Sequence, residues 1–240
     1  NQGWAGNARR AHVSSPPLAA AQRLRAALRG VRIAHAGGLR AGRTPRAAVP
    51  LAEVRSRTVA AILRSMNPDS DNFVAEMLAK SVGAHAAGRG TTAAGTARTA
   101  AALRGRGILD RRDRLVDGSG LSRANRLSAT SLVRLIAAAD RERAWGAPLL
   151  QSLPRGGEGT LVRRFRSGPA TRRVRAKTGY LGGVSTLAGR VVSVRGQRYA
   201  FALLMATGDI AGARATQDRV VNLLAAGAED LPAGASRGGR

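Results

Sequence analysis

Three strand-like runs, at residues 174–180, 184–194 and 198–207, follow one another with only a few residues between them. Gly182-Gly183 and Gly196 occupy the two connections. A parallel neighbour needs a crossover of about a dozen residues or more, so connections this short predict three adjacent antiparallel strands. Before Arg172 the hydrophobic pattern is helical, and it becomes helical again over residues 213–226, which carry Val220, Val221, Leu223 and Leu224. Helices, then a meander, then a helix predict an α+β fold, with an antiparallel sheet flanked by helices.

The helical part divides at turn and cap signals. Ser15-Pro16-Pro17 opens a helix through Leu18, Leu24 and Leu28 that Gly30 closes. Residues 31–35 alternate like a short strand, and residues 37–50 read as a loop. A second helix is predicted at residues 54–65, with Val59, Ile62 and Leu63 facing inward. Asn67-Pro68-Asp69-Ser70 has turn chemistry, and a third helix covers residues 71–82. Residues 91–106 look helical, with Ala in place of larger apolar residues. Asp117-Gly118-Ser119-Gly120 predicts a tight turn, and residues 154–159 a loop. Residues 128–141 predict a helix capped by Ser128, with Leu132, Leu135 and Ile136 on one face. Residues 1–15 read as an irregular lead-in, residues 16–230 as one domain, and residues 231–240 as a disordered Gly/Ser/Arg-rich tail.

Composition narrows the function classes. With 44% hydrophobic residues the chain folds, and no apolar run approaches the roughly 18 residues of a membrane span. No secretory signal pattern is visible over residues 1–10. The absence of Cys excludes disulfides, thiolate metal sites and a Cys nucleophile. His12, His35 and His85 lie too far apart for ligand spacing, so neither metal nor cofactor is expected. The formal charge is +26, and only Lys80 and Lys177 among the 40 basic residues are not Arg. Such a charge attracts polyanions, but the Arg residues are spread along the chain and aromatics make up only 3%, which favours a coding bias and argues against a nucleic-acid partner. Against that background each retained Lys carries more meaning.

Lys177 begins Lys177-Thr178-Gly179 within a predicted strand, and Ser70-Asp71-Asn72 sits where a turn meets a helix. With Ser-x-x-Lys, these two tripeptides form the signature of penicillin-binding proteins and class A β-lactamases. The flanks extend the match: Met66-Asn67-Pro68-Asp69 before Ser70, Ala75-Glu76-Met77-Leu78 after it, then Asp117-Gly118-Ser119-Gly120-Leu121-Ser122-Arg123, Ser152-Leu153-Pro154, Gly159-Thr160-Leu161 and Ala176 before Lys177. In this order they resemble the D-alanyl-D-alanine carboxypeptidase/endopeptidase family, the low-molecular-mass class C penicillin-binding proteins. The resemblance runs from about Pro16 to Leu224.

The resemblance implies a β-lactamase/transpeptidase-like fold and serine-type cleavage of peptidoglycan stems ending in D-Ala-D-Ala, through an acyl-enzyme. It also implies β-lactam binding and an extracytoplasmic location. Ser70 would pass a proton to the leaving amine, the Asn72 carboxamide would hydrogen-bond the substrate backbone, and Lys177 would add positive potential. Thr178 would bind the substrate carboxylate, Gly179 would leave room along the strand edge, and the Tyr180 N–H would serve the oxyanion hole. Glu76 reads as a structural helix partner. Asp117 and Ser119 fit turn formers and site residues equally well.

One departure is large. No Ser precedes a Lys by three positions; Met77 and Val174 stand there instead. The nucleophile and its base are thus absent, and the expectation is a C-terminal part missing its N-terminal portion; a degenerate, non-catalytic paralogue is the rival. Such a part is expected to be poorly stable and to bind β-lactams only non-covalently, if at all. Tyr180 replaces a frequent Thr, and the loop at residues 154–159 is slightly short. The alternatives are a β-lactamase-related hydrolase and a non-catalytic basic protein binding cell-wall polymer or nucleic acid.

Overall fold

The computed structural model describes residues 13–34 and 36–227. Contacts divide the chain into two units, one ending at Ser56 and one beginning at Arg57. In the first, helix α1 (Pro16–Gly30) starts on its two prolines as predicted and buries none of its residues. The predicted strand at residues 31–35 does not form. Val31 N–H donates to Ala27 O and Ile33 N–H to Leu28 O, so the end of α1 takes the amides that a ladder would need. Arg32 has φ 60°, which no strand accommodates, and His35 lies outside the described residues.

The second unit opens with α2 (Val59–Asp69) and α3 (Asn72–Ala87), joined by Ser70 and Asp71. Helix α2 starts later than predicted, capped by Thr58, so Val59 is exposed rather than inward-facing. It also continues through Asn67, Pro68 and Asp69, which were expected to turn. Helix α4 (Thr92–Gly105) returns against α3. Helix α5 (Ala129–Arg141) is capped by Ser128, whose Oγ accepts Ser131 N–H at 3.1 Å. A helix the sequence reading did not assign, α6 (Arg143–Ser152), follows α5 almost at once. The corner is tight because Gly146 lies on α5: a Cβ there would stand 1.9 Å from Ala139 O.

The sheet is as expected, three antiparallel strands in the order β1 (Val174–Leu181), β2 (Val184–Val192) and β3 (Arg198–Ala206). Helix α7 (Ile210–Ala226) closes the chain, so the architecture is α+β. Val174, Ala176, Leu187, Val191 and Phe201 share a core with Val221 and Ala225 of α7. Ala200, one residue before Phe201, packs instead with Ile136, Ala139, Leu150 and Leu153 of the α5–α6 layer. Adjacent strand residues face opposite sides, so helices cover both faces. Register then sorts β1. Thr178 pairs with Leu187 and shares the α7 face, whereas Lys177 pairs with Ala188 and faces the other layer. Among the described residues no helix is long and apolar enough to cross a membrane.

Candidate active site

Ser70 ends α2 in the left-handed conformation, φ 52° and ψ 48°, with its N–H on Asn67 O and that of Asp71 on Met66 O. This conformation usually falls to Gly, and holding a Ser in it costs about 1 kcal/mol. Ser70 is not the cap of α3: the Asp71 carboxylate accepts Val74 N–H at 3.1 Å and fills that role. The Ser70 hydroxyl is therefore available for another partner. Asn72, the first residue of α3, is exposed two residues further on.

That partner is Lys177. Its Nζ donates to Ser70 Oγ at 2.8 Å and to the Thr178 carbonyl at 2.8 Å, across 107 residues in the first case. Burial lowers the Lys177 ammonium from 10.5 to about 8, so it stays largely protonated at neutral pH. With Lys177 donating to Oγ, the Ser70 hydroxyl hydrogen remains free to be given to a third group. The pair can thus offer a proton from a hydroxyl that a cation supports.

The edge of the sheet supplies the rest. Ala176 N–H turns away from β2 and donates to Pro154 O at 3.1 Å. Backbone groups alternate along a strand, so those of Thr178 and Tyr180 point to the same outer edge of β1. Gly179 lies on the Lys177 face opposite Thr186, and a Cβ there would stand 2.3 Å from Thr186 Oγ1. Tyr180 is exposed, with the Arg214 guanidinium of α7 5.7 Å from its ring centroid. Ser70, Lys177 and Thr178 are thus linked directly; Gly179 and Tyr180 continue the strand, and Asn72 stands beside the turn.

A second turn flanks the hairpin. The Asp117 carboxylate accepts Gly120 N–H, Ser122 N–H, Asn125 Nδ2 and Ser119 Oγ. Burial pushes this carboxyl up, but the hydrogen bonds, that of Asn125 foremost, hold it below its usual range. Arg123 in this turn donates to Gly182 O at 2.9 Å, between β1 and β2. Glu76 ties the turn to α3 and α4, accepting Thr92 Oγ1 and Gly118 N–H. The Thr92 hydrogen bond is the main cause that keeps the Glu76 carboxyl below 4.5. A lowered carboxyl stabilises the fold above its unfolded pKa, and that share is lost as pH falls through the folded value. Glu76→Gln keeps one acceptor where two donors converge, and is expected to destabilise the chain by about 1–2 kcal/mol. Urea melts at pH 7 and pH 4 check this: the difference between parent and variant shrinks on acidification, and a constant difference speaks against it.

Sequence reasoning missed the supports. Asn67 and Ser152 form a buried hydrogen bond. Arg175 donates to Gln151 O and Leu153 O at 2.9 and 3.0 Å, capping the end of α6. Asn67 and Ser152 both lie inside recognised motifs, but nothing in a linear pattern pairs them.

A model of the D-Ala-D-Ala carboxypeptidase 3 (S13) family matches residues 5–227. The chain is 40% identical over 153 residues to a D-alanyl-D-alanine carboxypeptidase of Actinomadura sp. (strain R39), covering 61% of this chain and 28% of that protein. It is 40% identical over 174 residues to carboxypeptidase DacB of Mycolicibacterium smegmatis, covering 70% of this chain and 36% of that protein. The chain therefore spans about a third of the length of these curated relatives. A crystal structure of penicillin-binding protein 4 (dacB) from Haemophilus influenzae, complexed with a β-lactam, superposes with a TM-score of 0.75 at 26% identity, over 88% of this chain and 53% of that one.

Proposed function

The chain belongs to the D-Ala-D-Ala carboxypeptidase 3 (S13) family, and from that premise we propose that it carries the proton relay and substrate grip of a serine-type D-Ala-D-Ala carboxypeptidase/endopeptidase. Its substrate is the peptidoglycan stem ending in D-Ala-D-Ala, and it acts outside the cytoplasm. The observation that carries this reading is the contact of Lys177 Nζ with Ser70 Oγ at 2.8 Å beside an outward-facing strand edge.

In this reading the stem peptide lies extended along β1, on the backbone groups of Thr178 and Tyr180. Thr178 and Lys177 meet its terminal carboxylate, and the Asn72 carboxamide meets its backbone. A Ser hydroxyl attacks the carbonyl of the penultimate D-Ala; its proton passes to a base, and negative charge builds on the carbonyl oxygen. The Tyr180 N–H, aimed outward, is suited to that oxyanion. When the C–N bond breaks, the Ser70 hydroxyl gives its proton to the departing amine and takes up in turn the proton that the base received, while Lys177 stabilises the negative charge that develops on Oγ during the transfer. The acyl-enzyme is then hydrolysed. The attacking Ser belongs to a Ser-x-x-Lys motif that these 240 residues do not contain, so the chain supplies assistance and no attack. β-Lactams, as mimics of the same dipeptide, bind the same edge.

Two measurements on the chain test this. An N-acyl-D-Ala-D-Ala peptide is expected to shift the backbone amide NMR signals of Ser70, Thr178 and Tyr180, while its L-Ala-L-Ala counterpart leaves them in place. Fluorescent penicillin is expected to leave no covalent band on a denaturing gel. Equal shifts with both peptides would overturn the substrate assignment, and a covalent band would show that an attacking group is present after all.

A further inference from the structure

Asn67 and Ser152 stand 85 residues apart in sequence and are both buried. Asn67 Nδ2 donates to Ser152 Oγ at 2.6 Å, and Ser152 Oγ donates in turn to Leu149 O at 2.6 Å. The hydroxyl thus accepts one hydrogen bond and gives one, in fixed directions.

Following the chain from either partner leads to the same place. Three residues beyond Asn67 is Ser70, whose N–H rests on the Asn67 carbonyl at 3.2 Å. Two residues beyond Ser152 is Pro154, whose carbonyl holds Ala176 N–H at 3.1 Å, one residue before Lys177. Arg175 fastens the same join through the carbonyls of Gln151 and Leu153. The contact of Lys177 Nζ with Ser70 Oγ closes a ring of short links. In that ring the Asn67–Ser152 bond is the polar link between the end of α2 and the end of α6.

We propose that Asn67 and Ser152 are positioning residues, whose buried hydrogen bond fixes the Ser70 turn against β1 and so sets the separation of Ser70 Oγ from Lys177 Nζ. The meaning of that separation for catalysis rests on the relay proposed above; the geometric claim does not. Apolar contacts alone let α2 slide over α6, because they have no preferred direction. A hydrogen bond weakens steeply with misalignment, and an unpaired buried amide draws in water or moves its helix. Either response separates Ser70 from Lys177 and hydrates the ammonium between them. The groups that Lys177 meets there, a hydroxyl and a carbonyl, are uncharged, and burial is the cause of its lowered pKa. Its titration therefore reports water entry.

The two lysines make this measurable, since Lys177 and Lys80 are the only sources of Nζ signals in the chain. In 15N-lysine-labelled chain Lys177 is expected to titrate near 8, with Lys80 as internal reference. Ser152→Ala and Asn67→Ser are expected to move the Lys177 midpoint upward toward 10.5. Ser131→Ala removes another buried hydroxyl, bonded to Asp113 outside the ring, and is expected to leave the midpoint in place. A parent-like midpoint in a folded Ser152→Ala or Asn67→Ser chain overturns the proposal. So does an equal shift in Ser131→Ala, which would mark a general loosening. If both pair variants fail to fold while Ser131→Ala folds, the pair is a folding element and the positioning claim fails. Loss of D-Ala-D-Ala binding with an unmoved midpoint would count against this proposal and leave the substrate reading intact.

Discussion

Lys177→Met is expected to remove the rise of stability with pH that the parent shows, and with it the proposed relay. Burial lowers the Lys177 ammonium from 10.5 to about 8, which corresponds to about 3 kcal/mol of disfavoured charge at neutral pH. Met keeps the apolar stem and removes the charge. It forfeits two hydrogen bonds, to Ser70 and Thr178, each donated by a charged group and contributing about 1.5–3 kcal/mol. The two effects oppose each other, and at pH 7 the variant is expected to lie about 0–3 kcal/mol below the parent. The sign of the pH dependence follows from the same shift. The unfolded lysine holds its proton up to 10.5, whereas the folded one releases it near 8, so parent stability rises with pH across that window. Lys177→Met lacks this rise. Urea melts of both chains at pH 7 and pH 10 decide the matter, and a parent that gains no more than the variant would show that Lys177 is not a source of instability.

Gly95→Ala is expected to destabilise the chain by about 3 kcal/mol, the upper part of the usual range for overpacking. That corresponds to a fall in Tm of about 10 °C for a domain of this size. Propensity predicts the opposite, since Gly→Ala in a helix ordinarily stabilises by about 1 kcal/mol. Packing wins because a Cβ on Gly95 would stand 1.9 Å from Ala79 O, backbone against backbone. The reciprocal glycine of α3 is equally hemmed in, with Gly95 N 2.8 Å from a Cβ built on Gly83. Gly105, near the end of the same helix, has nothing within 4 Å of an added Cβ and is the control. Thermal melts in which Gly95→Ala matches Gly105→Ala would refute the argument. Prying α3 from α4 also disturbs Glu76, and through it the turn at Asp117.

These two positions show what the sequence could and could not disclose. The sheet was legible because alternation and short glycine connections each demand antiparallel neighbours. Ser128 was legible as a cap because its side chain acts locally. Helix α6 was not assigned from the sequence; it contains Gly146 and Pro148, residues of low helix propensity, and Gly146 is the residue small enough to rest on Ala139. The prolyl turn expected at Asn67–Ser70 is a helix end: Pro68 lies inside α2, one residue before its last, where it cannot give the i→i−4 hydrogen bond, and the helix stops directly after it at Asp69. At the site, Ser70 and Lys177 were each legible as motif residues, and the structure brings them into contact across 107 residues. A Ser beside a helix start can also be its cap, and at α3 that role falls to Asp71. The Asn67–Ser152 bond had no linear signal, since its partners meet only when two helix ends converge.

That convergence carries a kinetic consequence. The ring around Ser70 is closed by hydrogen bonds that span 85 and 107 residues. Loops of such length form late, after helices and the hairpins of the meander have already gained their local contacts. The contacts around Ser70 are therefore expected to close late in folding and to part early in a partial opening. A fluctuation that lifts the end of α6 leaves most of the molecule intact and still parts Ser70 from Lys177. Amide hydrogen exchange at Ala176 and Ser70 should then outpace exchange in the centre of β2, and would time the opening of the site separately from the loss of the fold.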